Sequence, residues 1–282
     1  MTAVHPQGFV PADRPPIHPP SMLSASTTIV WRNLLHIRRM PEMLLDVTVQ
    51  SVMFVLLFAY VFGGSIQVPG GFDYKEFLLP GIMAQTMVFS SAVVAMGLTN
   101  DLQKGIVDRF KSLPISRSSV LVGRSISSLI HSSIGIAVMG VTGLLIGWRI
   151  RDGFFNGVLP FLLLLLFGFA MVWLGIWVGS LMRSVEAVQG FMFTIMFPLT
   201  FVANTFAPTE NMAPWLRFIA EWNPVSSLTQ ACRQLWGNGP AATSESAWPL
   251  QHPVLMTVVW SIALTAIFAP LALAAFRRRS RD

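Results

Sequence analysis

Three places in this 282-residue chain carry residue types that could do chemistry. The first is the run GIVDRFKS from Gly105 to Ser112. A phosphate-cradling loop needs a glycine directly before its lysine, so that backbone amides can close on the phosphates, and a strand leading into it. Phe110 occupies that glycine's position ahead of Lys111, and no strand pattern precedes Gly105. The segment is a near-miss, and the chain is not expected to hydrolyse ATP. The second is His131, the one ionisable residue well inside an apolar stretch. A histidine there serves as a proton relay or as a hydrogen-bonded packing residue. The third is Cys232, the single cysteine, which excludes an intrachain disulfide and any CxxC metal or redox motif. It reads as a reactive thiol or as a small packing residue. No paired nucleophile and base and no HExxH occurs, so no catalytic or metal-ligating residue is assigned.

The elements that must position these residues are dictated by composition. Hydrophobic residues make up 53% of the chain and charged residues 11%, with a mean hydropathy of +0.61. A soluble domain carries about 25% charged residues. This chain cannot cover a water-facing surface, and lipid takes that role. The formal net charge of +6 then reports topology rather than nucleic-acid binding.

Residues 1–21 hold six prolines and few apolar residues, which predicts a disordered or extended tail and no secretory signal. From Met22 to Met40, Leu23, Val30, Leu34 and Ile37 recur at helical spacing beside Trp31, with Arg32, Arg38 and Arg39 supplying charge. The pattern suits an amphipathic helix lying in the membrane interface, or a short soluble helix packed on a loop. Pro41 ends it. Six apolar stretches follow, at about 44–62, 77–98, 120–148, 158–182, 187–206 and 254–276. The expected fold is all-α: one polytopic membrane domain over residues 22–282. The segment from Ala207 to Pro253 is too polar and too rich in proline to span.

Six spans place both ends on one side. The N-terminal segment, the Thr99–Arg124 region, Arg183 and the C-terminal tail hold 14 lysines and arginines; the other side holds Lys75, Arg149, Arg151, Arg217 and Arg233. The positive-inside rule puts both termini in the cytoplasm. No Asp, Glu, Lys or Arg falls near the middle of a span. Ion-coupled carriers need such groups at depth, so energy for any transport comes from elsewhere.

Two segments carry a likeness. TNDLQKGIVDRFKSLPISRSSVLVGR, from Thr99 to Arg124, has Asn100-Asp101, Gly105, the basic Arg109 and Lys111, and the turn from Leu113 to Ser116. The stretch from Phe197 to Gly237 has Pro198, then Pro214-Trp215-Leu216, then Asn223-Pro224. Together, in this six-span order, they resemble the membrane subunits of type-2 ATP-binding-cassette exporters, most closely the daunorubicin/doxorubicin-resistance permeases. Ala203 to Phe206 departs from the glycine-rich turn of many members, and the Pro-rich tail has no counterpart.

The resemblance implies a partner: a separate ATPase subunit, which binds ATP and Mg while this chain binds no cofactor. It makes the Asp101–Leu113 segment a coupling helix seated on that subunit. Asn100, Asp101, Lys104, Gly105, Asp108, Arg109, Phe110 and Lys111 are its expected docking residues. Mixed charge with an apolar anchor of Ile106 and Phe110 at i and i+4 suits that role, and equally suits a charged loop that only sets topology. The resemblance also implies a homodimer or a pair with a similar chain. It makes Met22–Met40 an interfacial elbow, and it makes Met212–Trp236 a pair of short extracellular helices dipping towards the membrane. Trp31, Trp215, Trp222 and Trp236 are the expected interface anchors, in contact with membrane lipids.

For substrate, the spans offer Met83, Gln85, Met87 and Ser90 in the second and Met192, Met196 and Asn204 at the fifth. Thioethers at four-residue spacing beside phenylalanines suit varied apolar ligands, or plain helix packing. Gly143xxxGly147 and Gly175xxxGly179 permit close helix contact. The expected function is an exporter permease of a bacterial cell membrane, moving a drug, polyketide or lipid. A glycan or lipid-linked polymer exporter and a non-transporting assembly or sensor subunit are the alternatives.

Overall fold

The computed structural model describes residues 41–61, 63, 66, 68–105 and 117–279. The Pro-rich tail, the expected interfacial helix with Trp31, and Asp108, Arg109, Phe110 and Lys111 lie outside them.

Helix α1, Pro41–Val61, opens on a proline, which is tolerated in a first turn because no backbone donor is needed there. Helix α2, Tyr74–Gln103, is capped by Asp73, whose carboxylate accepts from the Lys75 amide at 3.0 Å, and Glu76 adds negative charge to the first turn. Its 30 residues extend about 45 Å, beyond the ~30 Å of hydrocarbon. Thr99–Gln103, expected in a polar loop, therefore continues the helix. Helix α3, Arg117–Ile146, stops at Gly147, which takes φ +107°. Helix α4 covers Gly153–Leu181. Helix α5, Val185–Val202, begins at Ser184, whose hydroxyl accepts from the Ala187 amide at 3.1 Å. It ends four residues before the expected Phe206, because Ala203 turns to φ −61°, ψ 162° and residues 203–206 form a turn.

Short helices follow: α6, Pro214–Glu221, α7, Pro224–Trp236, and α8, Trp248–Gln251. Asn223 and Pro224 set the start of α7: the side-chain oxygen of Asn223 accepts from the Val225 amide at 2.9 Å and its amide donates to the Leu199 carbonyl at 2.7 Å. Gly237 at φ +68° ends it. Helix α9 is Pro253–Arg279.

The described residues contain no strand. Five helices, α2 to α5 and α9, have the length and apolarity to cross a membrane, while the comparable stretch of α1 is Val52–Val61. The all-helical, multi-pass expectation holds for the described residues, among which five helices meet this measure.

Helix α4 is the centre, packed along α2 and α9. Glycine spacing explains the α2–α4 contact. A Cβ at Gly175 would stand 2.3 Å from the Ser91 carbonyl oxygen, and one at Gly179 would stand 2.6 Å from that of Ala95. The Thr99 hydroxyl then reaches the Gly179 carbonyl at 2.9 Å. Gly143 admits the Leu79 side chain in the same way, whereas Gly147 only ends its helix.

Candidate functional site

The end of the bundle from which residues 106–116 depart is a polar neck. Asp101, in the last turn of α2, is ion-paired to Arg124 of α3. Gly97 makes room for this: a Cβ there would meet an Arg124 guanidinium nitrogen at 2.4 Å. Lys104 caps α2 by donating its amide to the Asn100 carbonyl at 3.0 Å, and Gly105 turns the chain away at φ +64°. The Gln103 amide donates to the Arg183 carbonyl at 2.9 Å. Arg279, from the last turn of α9, donates to the carbonyls of Gly179 and Ser180, both at 3.3 Å, and to that of Met182. A cation there suits the negative end of the α4 dipole. Five chain segments thus meet where the polar loop begins. Of the expected docking residues, Asn100, Asp101, Lys104 and Gly105 belong to this neck, and Asp101 is already paired within the chain.

Among the described residues, no Asp, Glu, Lys or Arg falls near the middle of a spanning helix. Met83, Met87 and Met192 are fully buried, Met196 nearly so, and Gln85 and Asn204 are buried as well. Ser90 is half-buried and donates to the Met87 carbonyl at 2.7 Å. Thr86, Ser91, Thr194 and Thr200 donate to carbonyls of their own helices in the same way. Ser91 also stands 3.9 Å from the Met196 sulfur. The methionines pack on different sides within one chain: Met83 lies against Gly140 of α3, Met87 against Gly168 of α4, and Met196 against Ser91 of α2. His131 is half-buried on α3.

A surface that the sequence reading passed over lies beside them. Phe193, Phe197 and Phe201 follow one stripe of α5, with ring centroids 5.7 and 5.5 Å apart. Phe89 of α2 joins at 5.7 Å from Phe193. At the other end Phe201 meets Phe206 at 4.9 Å, Phe206 stacks on Phe58 of α1 at 4.7 Å, and Phe58 stacks on Phe54 at 5.8 Å. Seven rings form a continuous ribbon, on which Phe54, Phe197 and Phe201 are exposed. The i, i+4, i+8 spacing in α5 was its sequence signal; the junction through Phe206 had none.

The opposite end is closed by α6 and α7. Trp215, Phe218, Ile219 and Trp222 share an exposed apolar face of α6, while Arg217 pairs with the buried Glu221 at 2.7 Å on the other. The Glu221 hydrogen bond raises the Arg217 pKa further. Trp215 and Trp222, two of the expected interface anchors, are exposed. Trp236 is not: it is wholly buried, edge-on to Trp148 at 5.1 Å, with its indole N–H donating to the Gly157 carbonyl at 3.0 Å. The end of α7 that carries it points into the protein. Cys232 is also fully buried, and burial pushes its thiol pKa up, which makes it a packing residue rather than a reactive thiolate. Arg233, counted above as a loop charge, is buried too.

Apolar spans, a polar neck at one end and a helical cap at the other define the class: a multi-pass membrane protein. A model of the ABC-2 type transporter family matches residues 25–235, and the chain belongs to that family. It is similar to the daunorubicin resistance ABC transporter permease protein DrrB1 of Streptomyces coeruleorubidus, with 31% identity over 92% of this chain and 88% of that one. It is similar to the probable doxorubicin resistance ABC transporter permease protein DrrC of Mycobacterium tuberculosis, with 23% identity over 82% of this chain and 80% of that one. The probable multidrug ABC transporter permease YbhR of Escherichia coli is 22% identical over 73% of this chain, which spans about half of it, 54%.

Proposed function

We propose that this chain is the permease half of an exporter in a bacterial cell membrane, with α1 as the first of six spans and both termini cytoplasmic. A separate ATPase subunit docks on the segment beginning at the neck, and two permease chains enclose the pathway. The substrate is an uncharged or weakly charged aromatic amphiphile.

The phenylalanine ribbon carries this reading. The spanning helices elsewhere expose Leu162 and Leu166 on α4, Leu255, Val259 and Ile262 on α9, and one isolated ring pair, Phe154 and Phe155, at the start of α4. The α1–α5 face differs in joining seven rings in continuous contact. A glycan would need hydroxyl partners along such a surface, whereas the ribbon is phenylalanine throughout and the nearby Thr194 and Thr200 hydroxyls are bonded within α5. The named resistance permeases support the same substrate class.

Aromatic contacts are worth about 0.5–1.5 kcal/mol each beyond area burial. Losing two should cost roughly a tenfold to hundredfold in apparent affinity. Phe197→Ala/Phe201→Ala should therefore raise the concentration of an aromatic amphiphile that half-stimulates ATP hydrolysis in nanodiscs by that factor, leaving basal hydrolysis unchanged. An unaltered stimulation curve would remove the ribbon from the pathway.

A further inference from the structure

Arg233 is the most deeply buried cation among the described residues, with no exposed surface at all. Its Nε donates to the Phe77 carbonyl at 2.8 Å and an Nη donates to the Thr205 carbonyl at 3.0 Å. Its guanidinium carbon lies 3.4 Å from the Phe77 ring centroid. No carboxylate pairs with it among the described residues, and its second Nη has no partner. An uncompensated buried cation is costly, so a structure that keeps one uses it.

It fastens three elements: α7, the start of α2, and the 203–206 turn that follows α5. The turn presses hard on α2, since a Cβ at Gly81 would stand 2.4 Å from the Thr205 carbonyl oxygen. The Tyr74 hydroxyl adds a bond to the Phe206 carbonyl at 3.2 Å.

Hydrogen bonds tie α7 on two sides. Towards the loop between α3 and α4 they are direct. Trp148 donates to the Asn238 side chain at 2.7 Å, Asn238 donates to the Arg149 carbonyl at 2.8 Å, and the Arg151 amide donates to the Trp236 carbonyl at 3.1 Å. Towards the turn the fit is loose. The Asn204 amide bonds Ser226 at 3.0 Å and its side chain reaches Gln230 only at 3.4 Å, while Asn204 Oδ1 and Thr205 Oγ1 are buried without partners. Polar groups left unpaired in one state are groups that a second state or water can satisfy. The bond from Asn223 to the Leu199 carbonyl, at 2.7 Å, supplies a pivot just before the turn.

We infer that Arg233 is the latch of the outer gate. It holds the 203–206 turn closed on α7, and the turn swings off it about Leu199 when the pathway opens outward. Phe206 gives the motion its trigger. It is the ring that joins the α5 and α1 halves of the ribbon, and it neighbours the residue whose carbonyl the latch grips. A substrate that wedges into the ribbon at Phe206 pulls Thr205 away from Arg233. The inference rests on the export reading and names the residue that positions its gate.

The test is a reversible cross-link across the seam. Asn204→Cys/Ser226→Cys, in a Cys232→Ala background, places one thiol on each side of the seam, at residues joined by the bond from the Asn204 backbone amide to the Ser226 hydroxyl at 3.0 Å. In the full complex in nanodiscs, the pair should oxidise readily at rest, and the oxidised form should lose at least tenfold of its substrate-stimulated turnover, restored by reductant. Adding Arg233→Lys, which cannot span both carbonyls, should slow resting oxidation severalfold. Equal turnover in the oxidised and reduced forms, failure to oxidise at rest, or no change in oxidation rate with lysine would each overturn the latch. Absence of transport in the reduced protein would instead count against the export reading itself.

Discussion

Gly175→Leu should leave almost no folded protein in the membrane. The α2–α4 contact is close, and what a side chain at 175 would strike is backbone: the Ser91 carbonyl oxygen, 2.3 Å from the position of a Cβ. Overpacking a core usually costs about 1–3 kcal/mol because neighbouring side chains shift. Here neither helix can yield locally. The Ala95 carbonyl oxygen would lie 2.6 Å from a Cβ at Gly179 and the Thr99 hydroxyl bonds the Gly179 carbonyl, so the whole register of α2 on α4 would have to move. A loss of about 4 kcal/mol or more is expected, in the range reserved for core disruption. The monodisperse yield in mild detergent and its thermal midpoint measure this. Gly190→Ala is the comparison, because a Cβ there meets nothing within 4 Å and alanine favours a helix by up to about 1 kcal/mol.

Asp101→Arg should uncouple the transporter while leaving it folded. The carboxylate ties the last turn of α2 to Arg124 in α3, across the base of the segment on which the ATPase is proposed to sit. Both partners are partly exposed, with side-chain exposures of 22% and 34%, so the pair adds little to global stability. Its importance is geometric. Movement imposed on the loop reaches the spans only if the two helix ends move as one body. Two arginines facing each other over Gly97 would splay the neck, and substrate-stimulated ATP hydrolysis should fall at least tenfold. The charge-swapped double variant, Asp101→Arg/Arg124→Asp, should recover most of it, which distinguishes the pair from two unrelated sites.

Hydropathy made the membrane spans legible because about 20 apolar residues with few charges have few other uses. It misjudged their ends for a physical reason. It measures where lipid stops, whereas hydrogen bonding decides where a helix stops, and α2 runs on through the polar residues Thr99–Gln103. Asn223-Pro224 was recognised as a motif, and its cap on α7 and tie to Leu199 explain its composition. Trp236 was misread because residue type alone assigned it to an interface, while burial depends on which face of α7 meets Trp148 and Phe161. Arg233 was misread in the same way: a charge outside the spans counts as topological until the fold wraps it. The ribbon lay half in view. The α5 stripe is periodic, but Phe58 and Phe206 meet only through the turn that the sequence assigned to a continuing helix.

The central claim is that this chain moves an aromatic amphiphile with energy supplied by a separate ATPase. Inverted membrane vesicles carrying this chain and a co-expressed ATP-binding-cassette ATPase subunit test it directly, with uptake of a lipophilic aromatic dye as the readout. Uptake should require ATP hydrolysis and both chains, and a non-hydrolysable analogue should abolish it. Uptake that proceeds without ATP, or an ATPase subunit that never associates with the chain in the membrane, would contradict the account.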